Sequence, residues 1–360
     1  RFGQYALLIS LLIFLSKIMD FGTNSNYVAK SITSNQENLT QRFISSKIVL
    51  FFISLIISLI LLFIFKFNSL TIIVTFVLGL IFYAANYTLF GLFQRIENYL
   101  MLVLVNTLPA LVKGTFAVLI LTGKVGFYFE HFFMIFSFAI GPSSLLFFFL
   151  PENFKKVKFG FSNVYKTIKE AISPGISQLI NEGFPAVSNS LAKIYADFSS
   201  VGIFSLADKI SSAFVLVSFT IFTVLLPKNA ARKREEEGYN FKETIFLGIG
   251  VALLSIATIV FAKFFIPWFF QNKYDESLKI LNIMVVAGGI SAIHTFMENY
   301  FFVENKTKYL AFISGGKLSI FLVLSVVLVP IYSIMGLAYS HLTAAAATLA
   351  FMITLMVKEK

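Results

Sequence analysis

Eleven stretches of about twenty or more mainly apolar residues follow one another along this chain, with little polar sequence between them. They run over 3–28, 43–65, 70–93, 98–122, 126–150, 170–194, 199–227, 243–266, 278–302, 307–329 and 332–357. A stretch of that length matches the thickness of a bilayer when it is helical, because a helix satisfies its own backbone hydrogen bonds where no water is present. The expected fold is therefore all-α and polytopic. Composition agrees: 58% of the 360 residues are hydrophobic and 13% are charged, where a soluble domain carries about 25% charged residues. Such a chain cannot cover itself with polar surface in water. There is no cysteine, which excludes a disulfide framework and any thiolate metal or redox site. His131, His294 and His341 stand far apart in sequence and give no metal-ligand spacing, and no cofactor motif is visible.

Charge sets the orientation. Alternate loops collect eighteen Lys and Arg residues on one side, among them Lys155, Lys156, Lys158, Lys166 and Lys169, then Lys228, Arg232, Lys233, Arg234 and Lys242. The other side holds seven. The richer side is expected to be cytoplasmic, with the C-terminus inside. The net charge of +11 is then explained by an anionic inner leaflet and not by nucleic acid. An odd number of spans ending inside places Arg1 outside, so the expectation is a missing first span and twelve spans in all. The longest outward loop, near 267–277, is short for an acceptor site, which weighs against a membrane polymerase or glycosyltransferase.

The halves resemble each other weakly. At an offset of 210, Tyr99-Leu100 falls on Tyr309-Leu310, Gly126 on Gly336 and His131 on His341; near the start, Gly3-Gln4-Tyr5 falls on Gly202-Ile203-Phe204. A parallel repeat of this kind describes two six-helix lobes, 1–160 and 161–360, pseudo-symmetric about a central cavity, the architecture of a rocking transporter.

The opening RFGQYALLIS, the Asp20-Phe21-Gly22 that follows and VGIFSLADKI at 201–210 resemble the corresponding segments of polysaccharide flippases. These are O-antigen and capsule repeat-unit exporters of the multidrug/oligosaccharidyl-lipid/polysaccharide superfamily. The resemblance implies a flippase of the cytoplasmic (inner) membrane that moves undecaprenyl-pyrophosphate-linked oligosaccharide by alternating access, with antiport-type coupling to a proton or sodium gradient. It implies membrane lipids, a polysaccharide polymerase and a chain-length regulator as partners, and lipopolysaccharide or capsule synthesis as the setting.

Buried charge gives a site by a separate route. A charge in hydrocarbon costs at least about 2.5–3.5 kcal/mol on insertion scales, so it normally faces a polar interior. Lys17, Lys113, Lys209 and Lys317 sit well inside spans, two in each lobe. Ammonium groups converging on a wet lumen suit a pyrophosphate head. The bland readings stand beside this one: Lys17 pairs with Asp20 three residues on, and Asp208 and Lys209 reach the headgroups. Arg95, at a cytoplasmic helix end, is either an orientation signal or a first contact for pyrophosphate, which guanidinium binds bidentately. Glu182, between Pro174 and Pro185, is a candidate coupling carboxyl, with Asp20, Asp208 and the i, i+4 pair His294–Glu298; structural hydrogen bonding is the rival for each. Asn86, Asn106, Gln178, Asn181 and Asn189 either bind sugar hydroxyls or bridge helices. Gly288-Gly289 and Gly315-Gly316 are expected to permit close packing or kinks. Three other functions compete. An organic-cation exporter of the same superfamily is disfavoured by a cationic lumen. A membrane polymerase lacks outward chain, and a non-transporting scaffold leaves the buried charges unexplained.

Overall fold

The structure is a computed structural model. It describes residues 2–24, 26–28, 38–124, 129–155, 160, 164–234, 241–270, 275–304, 306 and 308–358. Every described element is helical. In chain order these are α1 (Phe2–Asp20), α2 (Leu39–Ile64), α3 (Leu70–Arg95), α4 (Tyr99–Leu121) and α5 (Phe129–Phe138). A 3-10 helix (Gly141–Phe149) and a single turn (Glu152–Lys155) come next. Then follow α6 (Val164–Tyr195), α7 (Phe198–Arg234), α8 (Phe241–Phe270), α9 (Asp275–Val303), α10 (Lys308–Tyr332) and α11 (Ile334–Lys358).

Helix covers each of the eleven apolar stretches, with two local differences. The first helix stops at Asp20, not near 28, because Phe21 (φ 38°) and Gly22 (φ 67°) turn into the left-handed region, which suits glycine and closes a helix C-terminus. The Phe21 N–H still donates to the Lys17 carbonyl at 2.8 Å. The fifth stretch is a composite: α5 gives way to the 3-10 helix at Gly141-Pro142, where proline supplies no backbone N–H. Among the described residues, two helix starts carry side-chain caps. Asn98 accepts from the Met101 N–H at 3.3 Å. Asp197 accepts from the Ser200 N–H at 2.8 Å, a bond that holds its carboxyl below the usual carboxylate range.

Among the described residues nine helical segments are long and apolar enough to cross a membrane, the α5–3-10 composite among them. The two remaining helices are α6 and α7. Helix α6 carries Lys166, Lys169, Glu170, Glu182 and Lys193 along with many small polar residues, which lowers its hydropathy. Much of the side-chain detail of α7 lies outside the described residues.

Several helices are turned inside out relative to a soluble fold. Helix α2 buries Ser45, Ser46, Lys47, Ser54 and Ser58 while Phe52, Ile56, Ile60, Phe63 and Ile64 are exposed. In lipid the outward face gains nothing from hiding, so packing and hydrogen bonds decide which face turns inward. Helix α11 likewise buries Gly336, Ala338, Ser340, Ala344, Ala345 and Thr348. These small side chains allow backbones to approach closely.

The chain divides into two compact units, Leu7–Ala186 and Arg1–Ala6 with Val187–Lys360. In the first, Leu12 of α1 and Ser137 of α5 both reach the space where Gly79 of α3 lacks a side chain. Asn86 of α3 donates to the Val105 carbonyl of α4 at 3.0 Å and to Ser143 Oγ of the 3-10 helix at 2.9 Å. That assigns Asn86 to bridging helices. In the second unit, Ser211 of α7 donates to the Met284 carbonyl of α9 at 2.6 Å. Gly288 and Gly289 of α9 face Ser211 and Ser255, so this pair serves close packing as expected. Gly315 and Gly316 of α10 meet nothing within 4 Å, so close packing does not explain them.

The closest approach involves Gly3. A Cβ there would lie 1.6 Å from the Phe198 carbonyl oxygen and 2.8 Å from the Gly202 nitrogen, so the resembling segments 3–5 and 202–204 touch through their glycines. Gly3→Leu is expected to force the start of α1 away from α7 at a cost of about 1–3 kcal/mol. The readout is a lower thermal midpoint in detergent by fluorescence-detected size exclusion; an unchanged midpoint contradicts this packing.

Candidate functional site

Within the unit Leu7–Ala186, the inward polar face of α2 meets the end of α1. Lys47 is 3% exposed and Asp20 is 5% exposed, and Lys47 Nζ donates to Asp20 Oδ1 at 2.6 Å. Thr23 Oγ1 donates to the Asp20 carbonyl, tying down the turn after α1. Lys17 lies close enough to Lys47 for their charges to interact, and its Nζ stands 5.2 Å from the Tyr87 ring centroid. Tyr87 is held in place: its carbonyl accepts from Asn24 Nδ2 at 3.0 Å and its hydroxyl lies 3.4 Å from Ser16 Oγ. Two ammonium groups thus stand near the Asp20 carboxylate, and Lys47 is ion-paired with it.

The same unit holds Arg95 at the end of α3. Its guanidinium donates to the Tyr27 hydroxyl at 2.9 Å and to Thr40 Oγ1. It also lies over the Tyr27 and Phe154 rings, at 5.3 and 5.4 Å from their centroids. Aromatic faces and hydroxyls hold a cation without cancelling its charge. Lys113 of α4 is placed differently, with Nζ 3.8 Å from the centroid of Phe136 on α5.

The second unit gathers a titratable cluster from three helices. On α9, His294 Nδ1 lies 3.3 Å from Glu298 Oε1. Lys317 of α10 donates to Ser291 Oγ at 3.1 Å and is close enough to Glu298, His294 and His341 for direct charge interaction. His341 of α11 shares a 3.0 Å hydrogen bond with Ser188 Oγ of α6, and its ring lies 4.6 Å from that of Phe321. His294 is 8% exposed and its Nε2 has no hydrogen-bond partner. Among the described residues no group of three or more acidic or histidine side chains is arranged to hold a metal.

Lys209 of α7 is exposed, and Asp208 beside it is half-buried with Lys209 as the charge acting on it. The side chains of Glu182, Gln178 and Asn181 lie outside the described residues. Two participants escaped the sequence reading. Lys47 lies near the start of the apolar run 43–65, where a cation reads as a loop-edge charge, although the recurrence of Ser46, Leu50, Ser54 and Ser58 marks an inward stripe that includes it. His341 was noted only for its place in the repeat, and nothing in its neighbourhood signals that α9 and α10 bring His294, Glu298 and Lys317 near it.

The family model for "Polysaccharide biosynthesis protein" matches residues 1–230. The chain belongs to that family. Similar solved structures agree on the fold. An inward-facing multidrug resistance MATE family transporter of the MOP superfamily superposes with TM-score 0.74 at 12% identity, covering 99% of this chain and 90% of that one. The outward-facing conformation of a MATE family transporter gives 0.54 at 14%, covering 99% and 88%. A point mutant of the Vibrio cholerae MATE transporter VcmN gives 0.54 at 14%, covering 99% and 87%. No curated protein matches. This member of the polysaccharide biosynthesis family thus has a multi-pass, MATE-like helical fold. The solved structures that share this fold are transporters.

Proposed function

We propose that this transporter moves polyprenyl-pyrophosphate-linked oligosaccharide repeat units across the cytoplasmic membrane by alternating access of its two lobes, driven by a cation gradient. The observation that carries the proposal is that each unit, taken by itself, holds buried or half-buried cationic side chains among polar partners. Lys17, Lys47 and Arg95 do so in one unit, and Lys317 in the other. Retaining such charges in a membrane chain is costly unless they meet an anion or a polar lumen. A pyrophosphate head supplies the anion, and its sugar chain supplies hydroxyls for polar partners such as Asn189. The family match supports polysaccharide synthesis as the setting. An organic cation, by contrast, would be repelled by these ammonium and guanidinium groups.

Coupling is assigned to the cluster around Lys317. Each proton taken up by Glu298, His294 or His341 adds one positive charge beside that ammonium and changes how strongly it holds an anion. Asp20, Asp208 and Glu182 are the other carboxyls of the proposed route, and Lys113 and Lys209 line it. Delivery to a polymerase and a chain-length regulator on the outer side completes the scheme, with the C-terminus cytoplasmic and all eleven apolar helices spanning.

Depletion of this protein in its own cell is expected to trap pyrophosphate-linked repeat units in the inner leaflet, while their synthesis continues. Normal surface glycan together with altered efflux of a cationic dye would overturn the assignment in favour of drug export.

A further inference from the structure

A cavity of about 560 Å³ lies in the unit Leu7–Ala186, between α2, α3, the 3-10 helix and the turn that follows it. That volume falls within the usual range for a bound small molecule, about 300–1,000 Å³. Eleven of its fourteen lining residues are apolar; the polar ones are Lys47, Thr88 and Ser144. Two of its lining side chains, Ile81 of α3 and Phe148 of the 3-10 helix, are themselves exposed. In a membrane-spanning chain such an exposed apolar surface faces hydrocarbon, so the cleft is filled from the bilayer and not from water.

Its charge distribution selects among lipids. Among the described residues that line it Lys47 alone is charged, and its ammonium is shared with Asp20, with Lys17 close by. At the Phe154 wall the Arg95 guanidinium lies on that ring, 5.4 Å from its centroid. The Ser144 hydroxyl, buried without a hydrogen-bond partner, adds a free polar atom. One apolar cleft thus has a cation at its wall and a second just beyond it. That arrangement suits a single hydrocarbon chain ending in a multiply charged anionic head.

We infer that this cleft seats the isoprenoid chain of the lipid-linked cargo next to its pyrophosphate, so that the head is presented to Lys17, Lys47 and Arg95 while the chain stays in contact with the bilayer. The inference rests on the flippase reading and adds the residues that recognise the lipid anchor rather than the sugar. Ala84 and Ala85 on α3 determine the width of the cleft, because neither projects beyond its Cβ.

The test uses the full chain in nanodiscs with two photoactivatable probes, undecaprenyl pyrophosphate and phosphatidylglycerol, followed by peptide mapping. The expected result is labelling of 44–51 and 147–154 by the polyprenyl probe, competed by unlabelled undecaprenyl pyrophosphate and not by excess phosphatidylglycerol. Ala85→Trp, which fills the cleft, is expected to reduce that labelling at least tenfold; the milder Ala84→Leu should reduce it partially if the tryptophan variant does not fold. Equal labelling by the phosphatidylglycerol probe, or polyprenyl labelling confined to other segments, overturns the inference. Cargo transport measured in parallel separates the two ideas. A wild-type protein that transports cargo without labelling the cleft removes this inference alone, whereas one that transports none removes the flippase reading as well.

Discussion

Lys47→Ala is expected to lower stability by about 3–5 kcal/mol, the usual cost of removing one member of a buried ion pair. The Asp20 carboxylate would remain almost fully enclosed, with its 2.6 Å ammonium partner gone. Asp20→Ala leaves the ammonium stranded in the same way, with Lys17 adding repulsion. The double replacement Lys47→Met with Asp20→Leu removes both charges and should regain most of the lost stability, since a buried pair and an apolar pair of similar size are often close in energy. Transport is the discriminating readout. The double variant is expected to fold and yet carry cargo poorly, because the Lys47 ammonium is gone as a contact for the head although the net charge of the corner is unchanged. Full transport by the double variant would reduce the pair to a structural tie between α1 and α2.

Lys317→Met is expected to reduce transport by at least about tenfold, in line with the 2–5 kcal/mol that truncating a buried charge interaction typically costs. The replacement keeps the length of the side chain in α10 and removes its charge, so the thermal midpoint should change far less than transport. Glu298→Gln tests the coupling half of the argument. It preserves shape but cannot release a proton, and it is expected to abolish stimulation by a pH gradient while leaving slow, gradient-independent exchange. His341→Gln should shift the pH dependence of the rate, since it removes one titrating group from the same cluster. If all three variants keep the wild-type pH profile, the cluster does not couple transport to protons.

The positions of the helices were legible in sequence because bilayer thickness imposes a length on every apolar run. Even the resembling segments at 3–5 and 202–204 have a physical meaning, since their glycines let α1 and α7 touch. Helix ends were less legible: Asp20-Phe21-Gly22 closes α1, and the polar Thr23-Asn24 that follows is compatible with either a turn or a polar helix end. Side-chain direction was hardest to read. In a soluble protein the apolar face points inward and hydropathy reports burial. In lipid both faces are apolar, and only sparse small or polar residues mark the interior, as along α2. Lys47 sits at the edge of its apolar run, where a loop cation and an interior cation read alike. The cluster of His294, Glu298, Lys317 and His341 needs α9, α10 and α11 packed together, and only the i, i+4 pair on α9 was visible beforehand. For Asn86 the sequence left two roles open, and the donation of its amide nitrogen to Val105 and Ser143 selects the bridging one.

The most direct measurement is leaflet translocation in proteoliposomes holding the purified chain and a fluorescent undecaprenyl-pyrophosphate oligosaccharide. The expected result is protein-dependent loss of inner-leaflet probe, faster under an imposed cation gradient and at least tenfold slower with Lys317→Met. A rate equal to that of protein-free vesicles, or one that is the same for a neutral lipid-linked glycan lacking the pyrophosphate, would contradict recognition of an anionic head by buried cations.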